Sequence, residues 1–183
     1  MSGRLKIRQG WKRHLGTLAM VLAVFVAVQA WQTRKVPGGA APDFPVTVVQ
    51  ADGRVTSTTL HEWRAAHPGE PVALHFWADW CPICRTEEGS VTRVSQDWPV
   101  MTVAMQSGDA AKVAQVLRRR ALPWSAAVDP RSEITSAHGF GAVPAFVVVD
   151  AAGQLRAPTV GYTSETGMRL RLWWARLAGA VAG

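Results

Sequence analysis

The chain has 183 residues, a formal charge of +7 and 48% hydrophobic residues, which suits one ordinary domain with an appendage. The positive balance does not mark a nucleic-acid surface. Seven of the 20 cations (Arg4, Lys6, Arg8, Lys12, Arg13, Arg34 and Lys35) precede the first acid, Asp43, leaving 13 cations against 13 acids in the rest of the chain.

The first five cations lead into an uncharged run, Leu15 to Gln32. Its length fits a short membrane-spanning helix and also the apolar core of a signal peptide. Val28-Gln29-Ala30 resembles a small-residue cleavage site, whereas Trp11 and Trp31 flank the run as interfacial anchors would. The retained anchor is the reading adopted. Five cations before the run against two after it orient the N-terminus to the cytoplasm and export the remainder of the chain, across the inner membrane in a Gram-negative cell. The chain then divides into a cytoplasmic basic segment (1–14), a signal anchor (15–32), a linker rich in Pro, Gly and Ala (33–45) and a folded domain (46–183).

Within the domain, Thr47 to Gln50 and Arg54 to Thr59 read as a hairpin about Ala51-Asp52-Gly53. Leu60 to His67 reads as a short helix stopped by Pro68-Gly69, and Val72 to Trp77 as an apolar strand. Pro82 to Asp97 is a helix with proline in its first turn. Val100 to Met105 is a second apolar strand, and Asp109 caps a helix reaching about Arg120. In Arg118-Arg119-Arg120 the cations suit the end of that helix, so a solvated helix terminus is expected. Ser125 to Val128 is extended, and Pro130 to His138 is a short helix closed by Gly139. Ala145 to Val149 pairs with Gln154 to Val160 across a turn, and Glu165 to Ala178 is a terminal helix with a wide apolar face. Of the adjacent Trp173 and Trp174, one is expected in the core. Strands alternating with helices predict an α/β fold with a mixed, mostly parallel central sheet and an antiparallel edge.

Cys81 and Cys84 are the only cysteines. They come directly after the apolar strand and open the next helix, whose free N–H groups and dipole favour a thiolate. A bridge closing so short a loop is a poor structural staple, so the pair reads as a reversible dithiol. Cys81, nearest the helix end, is the expected nucleophile and is expected to be partly exposed; Cys84, one turn further in, resolves the mixed disulfide. A zinc site needs four ligands, and no second Cys/His pair is at hand. Two thiolates also suit a soft Cu(I) ion, which leaves a copper-binding or copper-tolerance module as the reading from another class.

Phe76 to Cys84, FWADWCPIC, resembles the active site of the thioredoxin fold. Val143-Pro144, before a closing apolar strand, resembles the cis-proline that faces that site. The anchor, the leading hairpin and Glu87 resemble the TlpA-like branch of exported thioredoxins. GYTSETGMRLRLWWA, Gly161 to Ala175, is similar to the tail of the ScsD-like membrane-anchored protein disulfide oxidoreductases. The likeness covers residues 43–178. His75 departs from it, standing where thioredoxin keeps a buried acid, as does Gly89, where most relatives have a proline. A threonine at the spacing peroxiredoxins use before their cysteine is missing.

The resemblance implies a thioredoxin-fold domain that exchanges disulfides with protein substrates, as a reductant recharged by a DsbD-like membrane donor or, alternatively, as a disulfide-forming oxidant. It implies no cofactor beyond the Cys81–Cys84 disulfide. Glu87 would be the active-site acid, on the helical face of Cys84; otherwise it is an exposed first-turn glutamate, the role expected of Glu88. His75 would shuttle a proton or be a hydrogen-bonded core residue. Trp80 would belong to an apolar docking surface and Trp77 to the core. Pro82 and Ile83 lie between the thiols and add no charge. Val143 would offer its backbone to an extended substrate segment held close by Pro144.

Overall fold

A computed structural model of the chain describes the backbone of residues 3–181 and the side chains of residues 14–179. Arg4, Lys6, Arg8, Lys12, Arg13 and Trp11 lie outside the described side chains, and with them the basic segment's expected role. Helix α1 (Gly3–Thr33) contains a 20-residue stretch, His14–Thr33, long and apolar enough to cross a membrane, and that stretch is unburied.

Strands β1 (Pro45–Val49) and β2 (Val55–Thr59) form the expected hairpin. Its turn suits Gly53 at φ +88° and Asp52, whose carboxylate accepts the Arg54 N–H. Helix α2 (Leu60–Ala65) starts with a capping box between Thr59 and Glu62. Then come β3 (Val72–Trp77), α3 (Pro82–Val94), β4 (Val100–Met105) and α4 (Ala110–Arg119), the last capped by Asp109 on the Lys112 N–H. The chain continues through β5 (Ala126–Asp129), α5 (Glu133–Ala137), β6 (Ala145–Val149), β7 (Leu155–Val160) and α6 (Glu165–Val181).

The seven strands form one mixed sheet in the order β2-β1-β5-β4-β3-β6-β7. Parallel pairing is confined to its centre, β5-β4-β3, where α3 and α4 carry the chain back before each new strand. The other four pairings are antiparallel, so the sheet as a whole is not mostly parallel. The reason is that β6 enters beside β3 from the opposite end and turns tightly into β7, while the leading hairpin attaches to β5 by an antiparallel contact.

Both faces of the sheet are covered, so every residue of β3 is buried. Alternation sends Ala73 and Trp77 into the core under α3, α4 and α6, which also holds Cys81, Cys84, Val91, Leu117 and Met168. Val72, Leu74 and Phe76 enter the other core, with Leu60 of α2 and Ile134 of α5.

Residues 36–44, read as a linker, lie against this second core. Val36, Ala41 and Phe44 pack on it. Leu155 N donates to Gly39 O and Ala41 N to Gly153 O, both at 2.8 Å. Gly139, at φ +79°, leaves room for the Lys35 backbone that a Cβ would strike. The end of α1 is docked too: Gln29 Nε2 donates to Val160 O at 3.1 Å, and its Oε1 accepts from Thr159 Oγ1 at 3.1 Å.

Among the described residues of helix α6, Met168, Leu172 and Ala175 are the buried ones. Trp173 and Trp174 are both about half exposed, so neither is the expected core residue; with Leu170 and Leu177 they form the face turned away from the sheet. Trp173 instead stacks edge-on against Trp98, with Arg176 beside both rings.

Candidate active site

The chain leaves β3 at Trp77, crosses three residues and enters α3 at Cys81. Cys81 is the N-cap, with Pro82 in the first turn, and its Sγ accepts the Cys84 N–H at 3.2 Å. That bond occupies one of the donors a helix start leaves free, and in the reduced protein it favours a thiolate on Cys81. The two sulfurs are joined as a disulfide. Cys81 is 4% exposed and Cys84 2%. Cys81 is therefore not the partly exposed thiol expected from its position, because Val143 closes over it: Val143 O lies 3.8 Å from Cys81 Sγ. The Val143-Pro144 bond is cis.

The approach to Cys81 is clamped. Asp79 N donates to Ser107 Oγ at 2.9 Å, and Asp79 O accepts from Arg120 Nη2 at 2.7 Å. Lys112 Nζ lies 3.0 Å from Asp79 Oδ2. Arg120 also reaches Glu88 Oε1 at 2.7 Å. Arg120 is thus no solvated helix end and Glu88 no free surface residue: each is pulled partly inward by the other, and Arg120 ties α4 to α3 and to the loop before Cys81.

Beneath the disulfide, His75 and Glu87 are each 1% exposed. His75 Nε2 lies 3.0 Å from Glu87 Oε2, and Glu87 Oε1 accepts the Thr163 N–H. The exposed-glutamate alternative for Glu87 does not hold. Cys84, Glu87, Val91 and Val94 make the inner face of α3, and strand alternation turns His75 to the same side as Trp77. Among the described residues His75 Nδ1 is buried without a partner, and the ring's polar contact is with Glu87. Gly161 N donates to Pro144 O at 2.8 Å. The segment Gly161-Tyr162-Thr163 therefore joins the proline loop to the buried acid.

Around the sulfurs, Trp80, Ile83 and Tyr162 are more than half exposed and Pro82 is exposed. Trp77 is core, edge-on to Trp124. The structure thus brings together Cys81, Cys84, Val143 and Pro144, with His75 and Glu87 paired below. Ser107, Lys112, Tyr162 and Thr163 were not singled out from the sequence, and Arg120 was read there as a solvated helix end and not as part of the site. Thr163 sat in the motif that carried the tail resemblance, and Arg120 in the cationic run; their partners are 76 and 32 residues away. Among the described residues no three His, Cys, Asp or Glu side chains gather as a metal site.

A mixed sheet covered on both faces, with a Cys-Pro-Ile-Cys turn entering a helix opposite a cis-proline, defines a thioredoxin-like protein. The chain belongs to the AhpC/TSA family, whose pattern matches residues 37–157. It is 28% identical over 111 residues to a thioredoxin-like protein of Haemophilus influenzae, covering 60% of this chain and 66%, just under two thirds, of that one. It is 27% identical over 150 residues to the thiol:disulfide interchange protein DsbE of Allochromatium vinosum, covering 79% of each. The solved structure of a putative thiol:disulfide interchange protein DsbE from Chlorobium tepidum superposes with a TM-score of 0.60 at 21% identity, covering 78% of this chain and 96% of that one. A likeness at that identity shows the fold.

Proposed function

We propose that the protein is a membrane-anchored thiol–disulfide oxidoreductase that reduces protein disulfides outside the cytoplasm. The observation that carries this reading is the Cys81–Cys84 disulfide at the start of α3, with Val143 O 3.8 Å from Cys81 Sγ. The names of the Allochromatium and Chlorobium relatives support it. In the reducing direction the Cys81 thiolate attacks one sulfur of a substrate disulfide. The substrate S–S bond breaks, a mixed disulfide forms, and the departing sulfur takes a proton. Cys84 then gives its proton to the Glu87–His75 pair and attacks Cys81 Sγ; the bond from Cys81 to the substrate breaks, and the second substrate sulfur leaves and takes that proton from the pair. Two electrons and two protons pass to the substrate, and the redox couple is the cysteine pair itself. The side chains of Trp80, Pro82 and Ile83 form the apolar rim that meets the partner, and Val143 offers its backbone to it. Pro144 holds that edge in place.

The span His14–Thr33 supports an inner-membrane anchor with the N-terminus cytoplasmic and the domain periplasmic. By resemblance, a DsbD-like membrane dithiol returns the electrons. The test is trapping. In a Cys84→Ala variant expressed in membranes, mixed disulfides to Cys81 accumulate and identify substrate and donor. If the Cys81→Ala/Cys84→Ala double variant traps the same partners, or if no adduct forms, the exchange reading fails.

A further inference from the structure

Between the end of α1 and the loop before Pro144 lies a cavity of about 330 Å3, walled by Trp31, Arg34 and Lys35 on one side and Gly139, Ala142 and Val160 on the other. No acid lines it. The Arg34 guanidinium lies 4.5 Å from the centre of the Trp31 ring. Among the described residues, neither Arg34 nor Lys35 has a carboxylate partner. Arg54, Arg93, Lys112, Arg120, Arg131, Arg156 and Arg169 are ion-paired; Arg64, Arg85, Arg118, Arg119, Arg171 and Arg176 also lack a carboxylate among the described residues, but only Arg34 and Lys35 are brought together on the wall of this cavity. The cavity's walls are held in place: Gln29 bonds to Val160 and Thr159, and the Lys35 backbone is seated on Gly139.

Ala142 adjoins Val143, whose carbonyl touches the reactive sulfur. A peptide passing over Cys81 in extended form advances about 3.3 Å per residue, so side chains two or three residues from its cysteine arrive at the cavity. We infer that this cavity is a subsite for an acidic side chain of the partner polypeptide, built jointly by the juxtamembrane segment and the domain. The inference rests on the disulfide-exchange reading above. It makes Arg34 and Lys35 specificity determinants: partners carrying Asp or Glu two or three residues from the reactive cysteine are favoured over neutral ones. An anionic lipid headgroup matches the charge. It does not account for the wall of Gly139, Ala142 and Val160, which belongs to the domain edge beside Val143.

The test uses the full chain in discs of phosphatidylcholine. Reduced protein is given peptides with one cysteine in disulfide linkage to a chromogenic thiol and Glu or Gln two or three residues away. The Glu peptide reacts with about three- to tenfold higher kcat/KM, as expected for two solvent-accessible charge pairs, and the ratio shrinks with added salt. In the Arg34→Gln/Lys35→Gln variant the ratio falls to about one. A ratio of one in the unaltered chain, or a ratio that survives the double substitution, overturns the subsite. So does a charge effect seen only when phosphatidylglycerol is present, which assigns the two cations to headgroups. If no peptide is reduced, it is the exchange reading that fails. The subsite is then judged by the affinity of serine-for-cysteine peptides for the same discs, where equal binding of Glu and Gln forms overturns it.

Discussion

The carboxylate of Glu87 serves two donors that arrive from different directions. His75 comes from the strand below, and the Thr163 N–H comes from the loop after β7. Removing it leaves both unmatched in a site that excludes water. Glu87→Ala is therefore expected to destabilise the protein by about 3 kcal/mol, the scale of breaking a buried polar pair, measured by urea unfolding. Glu87→Gln keeps an acceptor for Thr163 and should cost about 1 kcal/mol. It cannot take the Cys84 proton, so its resolving step should be slow at pH 7 and recover as pH rises toward the ordinary thiol value of about 8.5. A Glu87→Gln rate that tracks the unaltered protein across that range removes Glu87 from proton transfer. The sequence showed Glu87 one helical turn past Cys84, and hence its face. It did not show the pairing with His75, because that depends on where α3 crosses β3. The exposure of Cys81 was misread for a similar reason: the residue that covers it, Val143, lies 62 positions downstream.

At the level of elements, local signals were legible and edge contacts were not. Pro82 in the first turn and Asp109 as a cap marked helix starts through their own backbone chemistry. The segment 36–44 has the composition of a linker. It is nonetheless fixed by Gly39 and Ala41 bonding to the end of the β6–β7 hairpin, a contact no local pattern announces. Gly139 is its seat. Gly139→Ala places a Cβ against the Lys35 backbone at a φ that disfavours side chains. It should cost more than the roughly 1 kcal/mol of a left-handed alanine and should open residues 35–41 to proteolysis; an unchanged cleavage pattern would show that the segment is held elsewhere. Arg120 works between elements in the same way. Replacing it with Ala removes a charge-assisted bond to Asp79 O and the pair with Glu88, a loss of about 1–2 kcal/mol. Because Asp79 O lies two residues before Cys81, exchange with a disulfide peptide should slow as well. Arg120→Lys keeps the charge but reaches only one of the two acceptors and should fall between; equal loss for both variants would mean that the guanidinium's two-acceptor reach, and not its charge, is what matters.

For the molecule as a whole, the pH dependence of stability has a definable contributor on the face away from the disulfide. His138 is buried between the Phe44 and Phe76 rings. Its Nδ1 lies 2.8 Å from Ile134 O, which fixes the proton there and leaves Nε2 unprotonated, buried and without a partner among the described residues. Burial holds the imidazole pKa below its ordinary value of 6.5, against smaller opposing effects of the Ile134 carbonyl and the Asp129 carboxylate. Asp129 is itself engaged by the Ile134 and Thr135 N–H groups and the Thr135 hydroxyl, so it is not free to turn toward the ring. With a folded-state pKa below the unfolded one, the unfolded chain binds the proton first. Stability is therefore intact above about pH 7 and declines as pH drops through 6.5, until the folded pKa is passed and the loss levels off. His138→Phe keeps an aromatic ring among its neighbours and removes the titration. It should be less stable than the unaltered protein at pH 8, by about the 1 kcal/mol of the lost bond to Ile134 O, yet lose less on going from pH 8 to pH 5. Urea unfolding of both proteins at those two pH values gives the comparison directly; parallel losses would place the titrating group elsewhere.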